Sequence, residues 1–498
     1  MNVNPITRLD YPDLDVIRVE DTYYMVSTTM HFMPGCEILQ SFDLVHWEHV
    51  TYVYETLDHT DAQQLKSGQN IYGQGMWAAS LRYHEGRFCI CFVANDTRKT
   101  YLYTSEKIDG PWKKQLIEGF YHDGSLLFDE DGRNYIVYGN DEIWITELNE
   151  DLTAPKKDGL HRLLVSDHKN PELGYEGSHI QKINGYYYIF LIHSLRDRWM
   201  RTEACFYSDS LEGEFTGGDV LCDDRGYCGQ GVAQGGIVDT PDGKWYAMLF
   251  QDSGAVGRIP ILLPVTWKDH FPVFGQNGHV PEEIEVHSTR PGYIYQPLVG
   301  SDDFCNGLLP RWQFNHDPDP RYYHLDALQG TYTITTREVC TELTQAVNTL
   351  TQRMSYPSCA AEVTVDASAL KEGDVAGLCA LQSCYAAVGI TKHHGKYEVL
   401  MLDKKEDGIL DMTEGTVVES HQMDFRLEAD FCNMKDEARC YYRVNKGDWL
   451  PIGTVHKLYF KLDHFTGCRF GLFCYAAEET GGSACFRDFK YYDVDEIS

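Results

Sequence analysis

The chain has 498 residues, 43% of them hydrophobic, and a formal net charge of −32. That length allows two or three domains with sizeable cores, and the charge argues against a polyanionic partner such as nucleic acid or an acidic membrane surface. No apolar run approaches the roughly 18 residues of a membrane span, so neither nucleic acid nor membrane is expected among its partners.

The opening Met1-Asn2-Val3-Asn4-Pro5 lacks the basic and apolar regions of a signal peptide. From there to residue 295 one shape recurs: a strand, a polar turn and an aromatic strand. It occupies residues 16–26, 81–90, 126–136, 180–190 and 237–247, spaced by roughly one four-stranded propeller blade each. The fourth copy turns on Asn184-Gly185, the strongest short hairpin signal. A weaker repeat of serine, acidic turn and aromatic follows three of the hairpins: Ser41 to Trp47, Ser105 to Trp112 and Ser208 to Phe215. These read as outer-strand turns. Five such blades give a closed all-β body with a central funnel, towards which the residues just before each hairpin point. Asp129, Glu130 and Asp131 fall in the third turn itself and are expected in solvent.

Near residue 295 the pattern changes. Thr289-Arg290-Pro291-Gly292 and Ser301-Asp302-Asp303 read as a linker, and the remainder is all strands without a blade repeat. The expected architecture is all-β: a five-bladed β-propeller over 1–295, then a β-sandwich over 300–498. The 16 cysteines stand mostly singly inside strand patterns and form no paired CxxC zinc spacing. Reduced, buried thiols in a cytoplasmic protein are the expectation. Aromatics are abundant, with 33 Tyr and 9 Trp, which suits both sheet packing and platforms for sugar rings.

Three carboxylates stand ahead of three hairpins: Asp13 in Tyr11-Pro12-Asp13-Leu14-Asp15, Asp123 in Tyr121-His122-Asp123-Gly124-Ser125, and Glu176 in Gly174-Tyr175-Glu176-Gly177-Ser178-His179. Each, taken alone, could cap a turn or hold two blades together. In a propeller all three converge on the axis, and converging, partly desolvated carboxylates acquire different proton affinities. Glycoside hydrolysis needs such a set: one acid keeps a proton for the leaving oxygen while one carboxylate activates water.

On these motifs the first 295 residues resemble glycoside hydrolase family 43, five-bladed inverting exo-glycosidases, and the last 200 or so resemble the concanavalin-like C-terminal sandwich of its β-xylosidases. The resemblance implies that Asp13, in a variant of the family's Pro-Asp-Pro-Ser motif, is the general base. It implies that Asp123 orients the acid and tunes its pKa, and that Glu176, in Glu-Gly-Ser-His for the family's Glu-Gly-Pro-His, is the general acid. Val256-Gly257-Arg258 resembles the segment whose arginine reaches the sugar. Trp77 in Met76-Trp77-Ala78 and Phe32 in His31-Phe32-Met33-Pro34-Gly35 correspond to aromatic walls of the pocket. Where many members place an axial histidine that helps hold calcium, this chain has Gln234. A structural calcium near the axis is thereby in question, and no cofactor is required for the chemistry.

The sequence thus reads as an inverting exo-glycosidase releasing terminal β-D-xylosyl or α-L-arabinofuranosyl units from hemicellulose oligosaccharides such as those of xylan, arabinoxylan or arabinan. Inversion implies about 6.5–9.5 Å between Asp13 and Glu176. The rivals are a carbohydrate-binding propeller without catalysis, which would not need the acid–base set, and a propeller glycosidase of other sugar specificity. The substrate is a small oligosaccharide. A homo-oligomer is compatible with the sequence, which is silent on oligomeric state.

Overall fold

Each of the five hairpins forms the two inner strands of a four-stranded antiparallel sheet in the structure, a computed structural model describing residues 2–413 and 415–493. The last five residues of the expected sandwich segment lie outside the described residues. The inner hairpins are Asp15–Val19 with Thr22–Val26 in blade I, Met76–His84 with Arg87–Ala94 in blade II, and Ser125–Phe128 with Asn134–Asn140 in blade III. Glu176–Ile183 with Tyr186–Ser194 opens blade IV, and Val232–Asp239 with Trp245–Asp252 opens blade V. Asn184 and Gly185 both take positive φ, 50° and 85°, as a two-residue hairpin turn of this hand requires. The weaker serine repeat lies between third and fourth strands, as between Gly35–Ser41 and Glu48–Tyr54. Alternating apolar residues of neighbouring blades interlock; Val137, Ile145, Ile189 and Leu191 form one such seam.

The axis is polar. The Arg82 guanidinium of blade II donates to Asp15 Oδ2 in blade I at 2.7 Å. In blade III it donates to Ser125 Oγ and the Leu126 carbonyl, both at 2.8 Å, and in blade IV to the Ile180 carbonyl at 3.2 Å. Asp15 also accepts from the Leu81 N–H at 2.8 Å and lies 3.2 Å from His179 Nδ1. Burial alone would raise the Asp15 pKa, but Arg82, His179 and the Leu81 N–H together bring it down to about 2. The ring closes through the Gln181 amide on the Ile237 carbonyl at 2.8 Å, and through Arg18 paired with Asp239 where blade V meets blade I. The expectation for Asp129 needs correction. It is buried rather than solvated, accepting from Lys182 at 2.6 Å and Tyr187 at 2.5 Å, because its turn folds back onto blade IV.

The second half forms two antiparallel sheets of nine and seven strands packed on one apolar core that includes Leu378, Val388, Phe425, Phe470 and Phe486. One strand of the larger sheet, Phe32–Met33, is lent by blade I and pairs with Gln313–Asn315. The halves are therefore joined by a shared sheet as well as by the linker. All 16 cysteines are free thiols, most of them buried. No helix among the described residues is long and apolar enough to cross a membrane.

Replacing Arg82 with leucine strands Asp15 in the axis, and we expect a destabilisation of about 3–5 kcal/mol, read as a lowered unfolding midpoint. In the wild type the Asp15 contribution is complete above its unfolded pKa of about 4. It fades as pH falls towards the folded value of about 2, so the gap between wild type and Arg82→Leu should narrow over that interval.

Candidate active site

In every blade the residue two positions ahead of the first regular inner-strand pair sits at the mouth of the funnel. These residues are Asp13, Trp77, Asp123, Gly177 and Gln234, whose pairs begin at Asp15, Ala79, Ser125, His179 and Gly236. Four of them have positive φ: 51° at Asp13, 47° at Asp123, 66° at Gly177 and 62° at Gln234. A left-handed residue there swings the chain inward, and for non-glycine residues this strain is typical of functional sites. Glycine at 177 is favoured by the close approach of blade V, since a Cβ would stand 2.8 Å from Gln234 Cγ.

The structure brings Asp13, Asp123, Glu176, Arg258 and Trp77 together. Asp13 is buried, accepting from Thr28 Oγ1 at 2.6 Å and from Arg258 Nη1 at 2.7 Å. Arg258 is 2% exposed, and its Nε and Nη2 have no hydrogen-bond partner among the described residues. Asp123 accepts from the Gly177 N–H at 2.9 Å, which fixes the backbone beside Glu176. Burial, then the neighbouring Glu176 and Asp13, push the Asp123 pKa up against the opposing pull of His122. Glu176 Oε2 accepts from Asn140 Nδ2 at 2.8 Å. Trp77 lies with its ring 5.9 Å from that of His122.

A loop of the sandwich completes the wall. Phe465 lies 5.3 Å from the Trp77 ring and 4.6 Å beneath the Arg258 guanidinium, with Phe250 on the same guanidinium at 5.3 Å. Asp10 holds this loop in place. Its carboxylate accepts from the Arg258 N–H at 2.7 Å and the Gly467 N–H at 2.8 Å, joining blade V to the sandwich beside the catalytic motif. Behind Phe465, the buried His464 stacks on Tyr72 at 5.1 Å and meets His31 at 5.0 Å. Burial and Arg469 push His464 down to about 3, so it packs as a neutral ring.

Phe32 is not part of this group. It is fully buried, pairs with the sandwich sheet and lies 3.5 Å under Arg469, so none of its surface faces a sugar. Gln234 reaches the mouth, packed on Gly177, with its N–H held by Glu203 Oε2 at 2.7 Å. Burial pushes the Glu203 pKa well up. Calcium takes six to eight oxygens, commonly carboxylates among them, and Gln234 itself offers a single amide oxygen. Sequence reasoning passed over Asn140, Thr28, Asp10, Phe465 and His122. Only His122 carried a local signal, standing next to Asp123. The opposite end of the channel opens as a cavity of about 420 Å³ bordered by Arg18, Lys182, Asp239 and Trp245, and none of the expected site residues lines it.

Carboxylates converging at one mouth of a five-bladed funnel, under aromatic cover and beside an arginine with free donors, define a carbohydrate-processing site. Residues 3–272 match glycosyl hydrolases family 43, and residues 301–492 match the β-xylosidase C-terminal concanavalin A-like domain. The chain belongs to glycosyl hydrolase family 43. A β-xylosidase from Formosa agariphila is 26% identical over 99% of this chain and 89% of its own length. A non-reducing end α-L-arabinofuranosidase from Bacteroides ovatus is 23% identical over 82% of this chain and 79% of its own. Among solved structures, a bifunctional GH43-CE protein from Bacteroides eggerthii shares 42% identity and a TM-score of 0.92. It covers all of this chain, which spans 64% of that protein's length.

Phe465→Ala removes the ring that the sandwich lends to the pocket. With aromatic contacts contributing about 0.5–1.5 kcal/mol beyond area burial, KM for a bound sugar should rise up to about tenfold while the fold is kept, checked by steady-state kinetics beside a thermal melt.

Proposed function

We propose that this chain is an inverting exo-glycosidase that releases terminal β-D-xylosyl or α-L-arabinofuranosyl units from short hemicellulose oligosaccharides. The observation that carries this reading is the meeting of Asp13, Asp123 and Glu176 at one mouth, beside the unspent donors of Arg258. The sugar class is supported by the β-xylosidase and the α-L-arabinofuranosidase that the chain resembles along most of its length.

In this reading the protonated Glu176, steadied by Asn140, gives its proton to the glycosidic oxygen as the C1–O bond breaks. Asp13 accepts a proton from the water that attacks C1 from the opposite face. Thr28 and Arg258 fix Asp13 for that step, and the remaining Arg258 donors take sugar hydroxyls. Asp123 acts on Glu176 through the Gly177 N–H. Phe465 closes one side of the pocket, which favours chain ends over the interior of a polymer. The catalytic unit spans 1–295, and the sandwich over 300–498 serves as its accessory wall. No metal enters the scheme. The free thiols support a cytoplasmic enzyme acting on imported oligosaccharides.

The test is hydrolysis of nitrophenyl β-D-xyloside and nitrophenyl α-L-arabinofuranoside. Wild type should turn over at least one, Glu176→Ala should lose about 10²-fold or more, and NMR of the first-formed sugar should show the inverted anomer. Retention of configuration, or full activity in Glu176→Ala, would remove the mechanism. Dialysis against EDTA should leave the rate unchanged.

A further inference from the structure

His122 stands immediately before Asp123 and has no part in the three-carboxylate scheme. Its Nε2 lies 3.5 Å from Asp123 Oδ2 and 3.5 Å from Glu176 Oε2, outside hydrogen-bonding geometry with both. The loop that carries it is held by the Gly139 N–H on the His122 carbonyl at 3.0 Å, and Trp77 flanks the ring. The charged groups facing it are Asp123 from its own loop, Glu176 from blade IV and, farther off, Asp13 from blade I. Asp13 is already compensated by Arg258 of blade V. The imidazole therefore faces two carboxylates that have no other cationic partner in ion-pair range among the described residues.

We propose that His122 is a positioning residue for the general acid: its Nε2 holds a proton between Asp123 and Glu176 and so sets the pH at which Glu176 gives up its own. The proposal rests on the reading of Glu176 as that acid. Burial alone would keep the ring neutral, but Asp123 and Glu176 raise its pKa to about 9, so it is an imidazolium at neutral pH. A neighbouring carboxylate opposes the ionisation of an acid. A cation within about 4–6 Å pulls a carboxylate the other way, by about 1–3 pH units. His122 thus makes Glu176 a stronger donor towards a sugar leaving group, which needs its proton more than a nitrophenolate does. The cost is a narrower alkaline range.

The experiment is the pH dependence of kcat/KM on a short oligosaccharide for wild type, His122→Phe and His122→Gln, each checked for folding by thermal melt. Phenylalanine keeps the ring shape without charge, and glutamine keeps a donor without charge. We expect the alkaline limb to move up by about one pH unit in both, because Glu176 then feels Asp123 unscreened. A limb at the wild-type position in either folded variant overturns the proposal, as does a rate loss uniform across pH, which is what a merely structural contact would give. Glu176→Ala is run alongside. If it keeps wild-type activity the acid itself is misplaced; if it is inactive while the limb stays put, only the role of His122 falls. In the unaltered protein, ¹⁵N NMR of histidine-labelled enzyme should show an imidazole still cationic at pH 8, and finding none would equally overturn the proposal.

Discussion

One half-buried guanidinium, that of Arg82, carries the geometry of the mouth. Arg82 bonds to Asp15, Ser125 and Ile180 on the inner strands of blades I, III and IV, so sliding any of these blades breaks a charge-assisted hydrogen bond worth about 1.5–3 kcal/mol. Buried ion pairs rarely exceed a hydrophobic replacement in net stability. What the Arg82–Asp15 pair gives is register. With Asp15, Ser125 and His179 fixed at one level of the axis, the positions two residues earlier are fixed at the next level up. Asp13, Asp123 and Gly177 occupy those positions. Small neighbours make the floor possible: at Gly236 even a Cβ would touch the His179 ring, at 3.4 Å.

A funnel built only of blades would be open on top. The wall depends on Asp10, whose two oxygens hold the Arg258 N–H of blade V and the Gly467 N–H of the sandwich loop. Phe32–Met33 acts in the opposite direction, taking blade I backbone into the sandwich sheet. Each half contributes a segment to the other, so the placement of Phe465 over Arg258 follows from backbone hydrogen bonding rather than from side-chain packing alone. This explains why an aromatic ring some 200 residues from its nearest catalytic neighbour in sequence can define the shape of the pocket.

The propeller, its five hairpins and the convergence of Asp13, Asp123 and Glu176 were legible because hairpin register is a local property: a turn signal and period-two alternation fix where each inner strand begins. Phe32 misled because motif position says which residue is aromatic, not which sheet its backbone joins. Asp129 misled because a turn aspartate looks the same whether it meets water or Lys182 of the next blade. Phe465 and Asp10 left no trace in sequence, since their roles arise only from contact between the two halves. Gln234 stands at the mouth with its backbone N–H on Glu203, a contact that no local motif announces.

The division of labour between the carboxylates follows from the kind of cation each is given. Asp13 has Arg258, a permanent charge held at 2.7 Å, together with a hydroxyl donor. The guanidinium keeps its charge at every pH at which the protein is folded, as would suit a base in the proposed scheme. Asp123 and Glu176 instead share His122, whose charge can itself be lost. A titratable partner couples their protonation. In the proposed scheme the acid and the base, both carboxylates, are thus distinguished by the kind of cation beside each: a guanidinium at Asp13, and one imidazole shared by Asp123 and Glu176.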